Sequence, residues 1–129
     1  MRTEADFAII GGGIVGLSVA HGLLKQGCSV ICIDGSDTDF RASRGNFGLV
    51  WVQGKGIRAP FYAAWTQNAA RIYPDFVSEL SQETGVQINY NQAGGYEYFT
   101  DPHTLSQRME EYKQLKKALN GDYPYEFLS

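Results

Sequence analysis

The period of the apolar positions changes repeatedly along the chain, and each change marks an element. Residues 6–10 (DFAII) form a short continuous apolar run, too brief for a helix and suited to a buried parallel strand. From Ile14 to Lys25 the period becomes helical, with Val15, Val19 and Leu23 on one face and Leu17, Ala20 and Leu24 beside them. Gly27 supplies the stop, and residues 29–33 (SVICI) read as a second strand. Strand, helix and strand in this order predict a βαβ unit with a right-handed crossover. Residues 35–58 are polar and punctuated by glycine, broken only by FGLVWV, a composition that suits a binding loop more than a spacer.

Helical character resumes from Pro60 to Tyr73, with Phe61, Trp65, Ala69 and Ile72 predicted to share the inner face. Pro74 predicts a break, after which Phe76, Val77 and Leu80 continue a second helix to Glu83, closed by Gly85. VQINY (86–90) and GYEYF (95–99) read as strands of a hairpin around NQAGG, with Tyr96 and Tyr98 on one face and Glu97 and Phe99 on the other. Asp101 and Pro102 suit the N-cap and first position of a last helix, whose inner face would carry Leu105, Met109, Tyr112, Leu115 and Leu119 before Asn120-Gly121 stops it. The aromatic tail DYPYEFLS reads as a turn into a further element. The fold class expected is α/β, a Rossmann-like βαβ unit followed by the beginning of a second sheet.

Composition narrows the classes of partner. The chain has 129 residues, 43% apolar and 19% charged, which describes a folded globular chain. Its net charge of −3 and its lack of a basic stripe give no electrostatic footprint for a nucleic acid. Cys28 and Cys32 sit i,i+4 in an extended run, too far apart to bridge, so two free, buried thiols and a reducing compartment are expected. No apolar run of transmembrane length and no secretory leader pattern is visible. This points to a cytoplasmic chain, with a peripheral membrane contact left open. No metal-site spacing and no credible catalytic triad occurs; His21 and His103 both lie in helical segments. The catalytic group is therefore unassigned.

The chemistry concentrates at Gly11-x-Gly13-x-x-Gly16, directly after the first strand and opening the helix. Such spacing gives a tight turn at the first glycine, close backbone approach to a pyrophosphate at the second, and helix–strand contact at the third. The helix N-terminus adds unpaired N–H groups and the positive end of its dipole. Asp34 ends the second strand 18 positions beyond Gly16, where a carboxylate accepts hydrogen bonds from ribose hydroxyls and disfavours a 2′-phosphate. Together these predict a dinucleotide site. The residues themselves leave FAD and NAD both open.

The stretch through Asp34, followed by RASRGNFGLVW (41–51), resembles the FAD-dependent amine and amino-acid oxidoreductases, the group of D-amino-acid, glycine and sarcosine oxidases. Within that group ASRGNFGLVWVQGKG is most similar to bacterial subunits of opine oxidase, hydrogen cyanide synthase and hydroxyproline dehydrogenase type. The resemblance implies FAD as cofactor and oxidation of the C–N bond of an amino acid or secondary amine. It implies redox-partner subunits, and self-association is expected separately, from the open core described below. It also implies a longer, two-domain flavoprotein of which this chain is an N-terminal portion. Residues 1–85 would then belong to the FAD-binding domain, and 86–129 would start the substrate-binding domain.

Carried over by position, Gly11, Gly13, Ile14, Val15 and Gly16 would line the FAD diphosphate, and Asp34 with Gly35 would meet the adenosine ribose. Arg41, Ser43 and Arg44 would lie about the adenosine and diphosphate, with Arg44 the favoured phosphate contact. Asn46, Phe47, Gly48 and Leu49 would pass the isoalloxazine ring. The competing readings are an NAD-linked dehydrogenase fragment, which the long loop at 41–51 disfavours, and a non-catalytic nucleotide-binding or interaction subunit. A few strands with one crossover make an open core, so the chain alone is expected to be marginally stable or oligomeric.

Overall fold

The computed structural model describes residues 4–36, 38 and 41–128, so positions 37, 39 and 40 of the loop after the second strand lie outside the described residues. In chain order the elements are β1 (Phe7–Ile10), α1 (Ile14–Lys25), β2 (Val30–Ile33), α2 (Ala42–Gly45), α3 (Pro60–Thr84) and α4 (Pro102–Ala118). They fall into two compact units, Met1–Leu49 and Val50–Ser129.

The first unit is the βαβ motif. β1 and β2 pair in parallel, with Phe7 opposite Val30 and Ile10 opposite Ile33. Register is pinned at both ends. At one, the Asp6 carboxylate accepts the Ser29 N–H and hydroxyl, each at 2.7 Å. At the other, the Gly11 N–H donates to the Ile33 carbonyl at 2.8 Å. α1 closes on a Schellman motif: Cys28 N–H reaches the Leu23 carbonyl and Gly27 N–H the Leu24 carbonyl, with Gly27 in the left-handed region at φ +81°.

The face that α1 turns inward differs from the one its hydrophobicity predicts. Ala20 is the buried residue, while Val15 and Val19 are 75% and 51% exposed. The bare backbone at Gly16 and the single methyl of Ala20 let the helix axis approach the strands, and that closeness outweighs the larger valines one position away. Cys28 and Cys32 are both free, but Cys28 is half-buried and Cys32 exposed rather than buried.

In the second unit α3 continues through Pro74 for 25 residues instead of breaking there. A proline removes one N–H donor and crowds the preceding turn, but a helix with intact bonding on both sides bends around it. Its inner stripe is Ala63, Gln67, Ala70 and Val77, and the predicted face is outward: Phe61, Trp65 and Ile72 are all exposed. The reason again is small residues at close approach, since a Cβ at Gly56 would lie 2.6 Å from the Ala63 nitrogen.

α4 behaves as its sequence predicts. Asp101 caps it, accepting the Thr104 N–H at 2.7 Å, with Pro102 in the first turn, and Tyr112 and Leu115 are buried. The aromatic tail, residues 122–128, follows α4. It folds back, burying Tyr123 against Ala63, Tyr112 and Leu115, with the Tyr123 hydroxyl accepting the Gly54 N–H at 2.6 Å. Burial is the leading cause that holds both the Tyr112 and Tyr123 phenols above their ordinary pKa, so both are neutral donors or acceptors here.

The predicted hairpin of 86–90 and 95–99 forms no ladder; among the described residues both runs are irregular. Side-chain anchors hold this stretch instead of strand pairing. The Tyr90 ring packs on Tyr73 at 5.1 Å, Gly95 lies under the Trp51 ring, and Glu97 accepts the Tyr112 hydroxyl at 3.0 Å.

Two outcomes follow from this packing. Leu115→Ala removes most of a fully buried side chain and is expected to cost about 2–5 kcal/mol in urea unfolding, more than Asp101→Ala at the exposed α4 cap. Ile10, Val15, Phe61, Trp65 and Tyr98 are each at least 70% exposed, so sedimentation velocity is expected to show concentration-dependent self-association. A monomer at every concentration would contradict that expectation.

Candidate functional site

The chemistry-bearing positions of the first unit converge at the β1–α1 turn. Gly11 leaves β1 at φ +104°, a conformation that side chains rarely adopt. One turn on, a Cβ at Gly16 would run into the Gly11 carbonyl oxygen, so the third glycine is required for the helix to start here. α1 begins at Ile14 behind Gly13, whose extended backbone (φ −76°, ψ 177°) brings no side-chain cap. The first-turn N–H groups therefore need acceptors from elsewhere. One comes from the next loop: the Ser43 hydroxyl accepts the Ile14 N–H at 2.9 Å. The same oxygen lies 3.2 Å from where a Gly13 Cβ would be, so a side chain at 13 would push Ser43 away.

Asp34 emerges from the end of β2 beside this turn. Its Oδ1 accepts the Gly35 N–H at 2.9 Å, and the carboxylate lies against the Gly12 backbone. Its Oδ2 would be 2.5 Å from a Cβ at Gly12, so position 12 must also be bare. The third partner is Arg41, whose Nη1 pairs with Oδ2 while its Nη2 donates to the Ser36 carbonyl at 2.9 Å. Arg41, and after it the Gly12 and Gly35 N–H groups, hold the Asp34 carboxyl below the ordinary value of 3.8. The carboxylate thus keeps its charge throughout the neutral range, and these contacts are lost only as pH falls through the lowered value.

The structure therefore gathers Gly11, Gly13, Ile14 and Gly16 with Asp34, Gly35, Arg41 and Ser43. Val15 points outward from the first turn. Residues 42–45, read from sequence as plain loop, form the single helical turn α2, with Arg41 at its N-cap and Arg44 in its last turn. Asn46 to Leu49 hold a local turn in which the Asn46 Oδ1 accepts the Gly48 N–H at 2.6 Å, with Gly48 at φ +75° and Phe47 and Leu49 exposed. Sequence reasoning did not single out Gly12 or Ser36. The Gly12 role was legible in principle, because a third consecutive glycine exceeds what the motif needs. The Ser36 carbonyl left no signal, since any residue supplies one.

This cradle fits the adenosine and diphosphate of a dinucleotide. A helix N-terminus approached by bare backbone can meet a diphosphate, and an ionised carboxylate next to it can meet a ribose diol. The second unit holds a separate cavity of about 690 Å³, walled by Trp51, Tyr96, Tyr98 and Phe127, with Glu97 and Arg108 ion-paired at 3.4 Å. Among the described residues no helix is long and apolar enough to cross a membrane.

Comparison with known proteins adds the cofactor. Residues 6–129 match the family described as FAD dependent oxidoreductase (DAO). The chain is 42% identical over 122 residues to an opine oxidase subunit of Rhizobium meliloti, and 40% identical over 121 residues to the corresponding opine oxidase subunit of Agrobacterium tumefaciens (strain Ach5). These alignments cover 95% and 94% of this chain and 33% of each relative. Glycine oxidase of Bacillus licheniformis is 23% identical over 94 residues, covering 73% of this chain and 26% of that enzyme. The chain spans about a third of the length of the opine oxidase subunits it matches. No solved structure matches it significantly. With the family match running from the first strand to the last residue, the chain belongs to the FAD-dependent oxidoreductases.

Proposed function

We propose that this chain supplies the adenosine and diphosphate end of the FAD site in an enzyme that oxidises the C–N bond of an amino acid or secondary amine. The observation that carries this reading is the convergence of the bare Gly11–Gly16 turn, the Ser43 hydroxyl and the ionised Asp34 on one side of β1–α1. In it, the α1 N-terminus and Gly13 meet the diphosphate, and Asp34 orients the adenosine by its ribose. Arg44 lies on the adjoining turn, and the exposed Phe47–Leu49 backbone serves the flavin ring. Bound FAD supplies the two-electron redox chemistry. Residues 1–85 serve the cofactor and 86–129 begin the substrate side. The kinship with opine oxidase and glycine oxidase supports an amine or amino-acid substrate, and kinship with proteins named as subunits supports redox partners in the assembled enzyme. Two free cysteines favour a cytoplasmic setting.

Calorimetric titration of the chain with FAD and NAD separates this reading from its alternatives. FAD is expected to bind and NAD to bind more weakly. Asp34→Ala, which removes charge-assisted bonds to the ribose, is expected to weaken FAD by about ten- to a hundred-fold. Failure of FAD to bind, or indifference of FAD binding to Asp34→Ala, would overturn the proposal. Gly16→Val is expected to abolish binding, and circular dichroism should show lost helix signal with it, because the side chain cannot coexist with the Gly11 carbonyl.

A further inference from the structure

The cavity of the second unit is walled wholly by residues between 51 and 128. Its volume of about 690 Å³ lies within the range of small-molecule sites, about 300–1,000 Å³. Two of its aromatic walls are fixed by contacts of their own. The Trp51 indole donates its Nε1–H to the Gln53 carbonyl at 2.8 Å and lies over the bare backbone of Gly95. The Tyr125 ring packs on Phe127 at 5.1 Å and on Tyr112 at 5.3 Å. The charges along the walls are unequally compensated. Glu97 accepts the Tyr112 hydroxyl at 3.0 Å and pairs with Arg108 at 3.4 Å, and Arg108 also reaches Glu111 at 3.2 Å. These charges satisfy one another. Glu126 is exposed, where water and salt screen it. Lys116 differs from both. It is half-buried, its Nζ stands 5.2 Å from the centre of the Tyr125 ring, and among the described residues no carboxylate pairs with it.

We propose that this cavity binds a planar aromatic carboxylate, with its ring against the aromatic walls and its carboxylate on the Lys116 ammonium. Rigid aromatic walls favour a flat aromatic ligand, because ring faces and edges pack on one another at little entropic cost. A half-buried ammonium without a counter-charge gains most from an anion, through a charge-assisted hydrogen bond. A cationic ligand fits worse. The cation position over Tyr125 is already filled by Lys116, and the Glu97 carboxylate is already paired. A neutral aromatic ligand would fill the walls but leave the ammonium without its acceptor. None of the lining residues belongs to the first unit, so the proposal stands apart from the glycine turn and from FAD.

The probes are 2-naphthoate and its neutral isostere 2-naphthamide, titrated into the full chain and followed at the indole N–H resonances by ¹⁵N NMR. The chain has two tryptophans, Trp51 in the cavity wall and Trp65 on the exposed face of α3, which serves as the internal control. Naphthoate is expected to move the Trp51 resonance and leave Trp65 in place, with half-saturation on the order of 1 mM and naphthamide about ten-fold weaker. Lys116→Met keeps the stem of the side chain and removes the charge. It is expected to weaken naphthoate about ten-fold and bring the two probes level, while Lys116→Arg restores the preference. Lys116→Gln takes its place if circular dichroism shows that Lys116→Met fails to fold. A Trp51 resonance that naphthoate leaves unmoved, an equal response of Trp51 and Trp65, or a preference for naphthoate that survives loss of the Lys116 charge overturns the proposal. A Trp51 resonance that shifts on dilution of the chain and ignores naphthoate also overturns it, and assigns these walls to contact between copies.

Discussion

Everything in the first unit depends on how closely α1 can approach the strand that feeds it. The limiting contact is Gly16 against the carbonyl of Gly11, where even a methyl group would collide with backbone. That approach brings the helix N-terminus to the end of β1, and it sets Gly13 next to Ser43 and Gly12 next to Asp34. The parallel pairing of β1 and β2 then fixes where Asp34 emerges, because Ile10 pairs with Ile33 and Asp34 follows directly. The place of the α1 N-terminus and the place of the Asp34 carboxylate beside it are thus consequences of one steric allowance. The Asp6–Ser29 bonds at the opposite end keep that register from slipping.

How much of this was legible in the sequence depends on the range of the interaction involved. The βαβ unit, the start of α1 at Ile14 and the Asp101 cap of α4 are local matters of glycine spacing, period and capping, and all were readable. The inner faces of α1 and α3 were not. In both helices alanines lie on the buried stripe, Ala20 in one and Ala63 and Ala70 beside Gln67 and Val77 in the other, while Val15, Phe61 and Trp65 point outward. Hydrophobicity ranks the large residues first, but close packing selects the small ones. Pro74 misled for a related reason: a proline costs a helix one bond, and the packing of residues on both sides of it decides whether the helix ends.

The stretch from 86 to 99 shows the limit of strand patterning. Its residues alternate as a strand would, but a strand exists only through a bonded neighbour, and these runs are held by aromatic rings and Glu97 instead. The tail shows the reverse. No periodicity announced that Tyr123 would be among the most buried side chains, yet the aromatic cluster of Tyr112, Tyr123 and Tyr125 closes the second unit. Within the candidate site the recognised motif located the glycines and Asp34. The pairing of Asp34 with Arg41 and the seat of Ser43 on the Ile14 N–H required the three-dimensional turn.

The central claim is that this chain, by itself, carries a working adenosine-diphosphate seat for FAD. The most direct measurement is the visible absorption spectrum of the purified chain after incubation with FAD and desalting. The account predicts retained flavin bands, with a shifted and sharpened profile relative to free FAD, that disappear in Asp34→Ala. A colourless protein, or flavin retained equally by the Asp34→Ala chain, would contradict it.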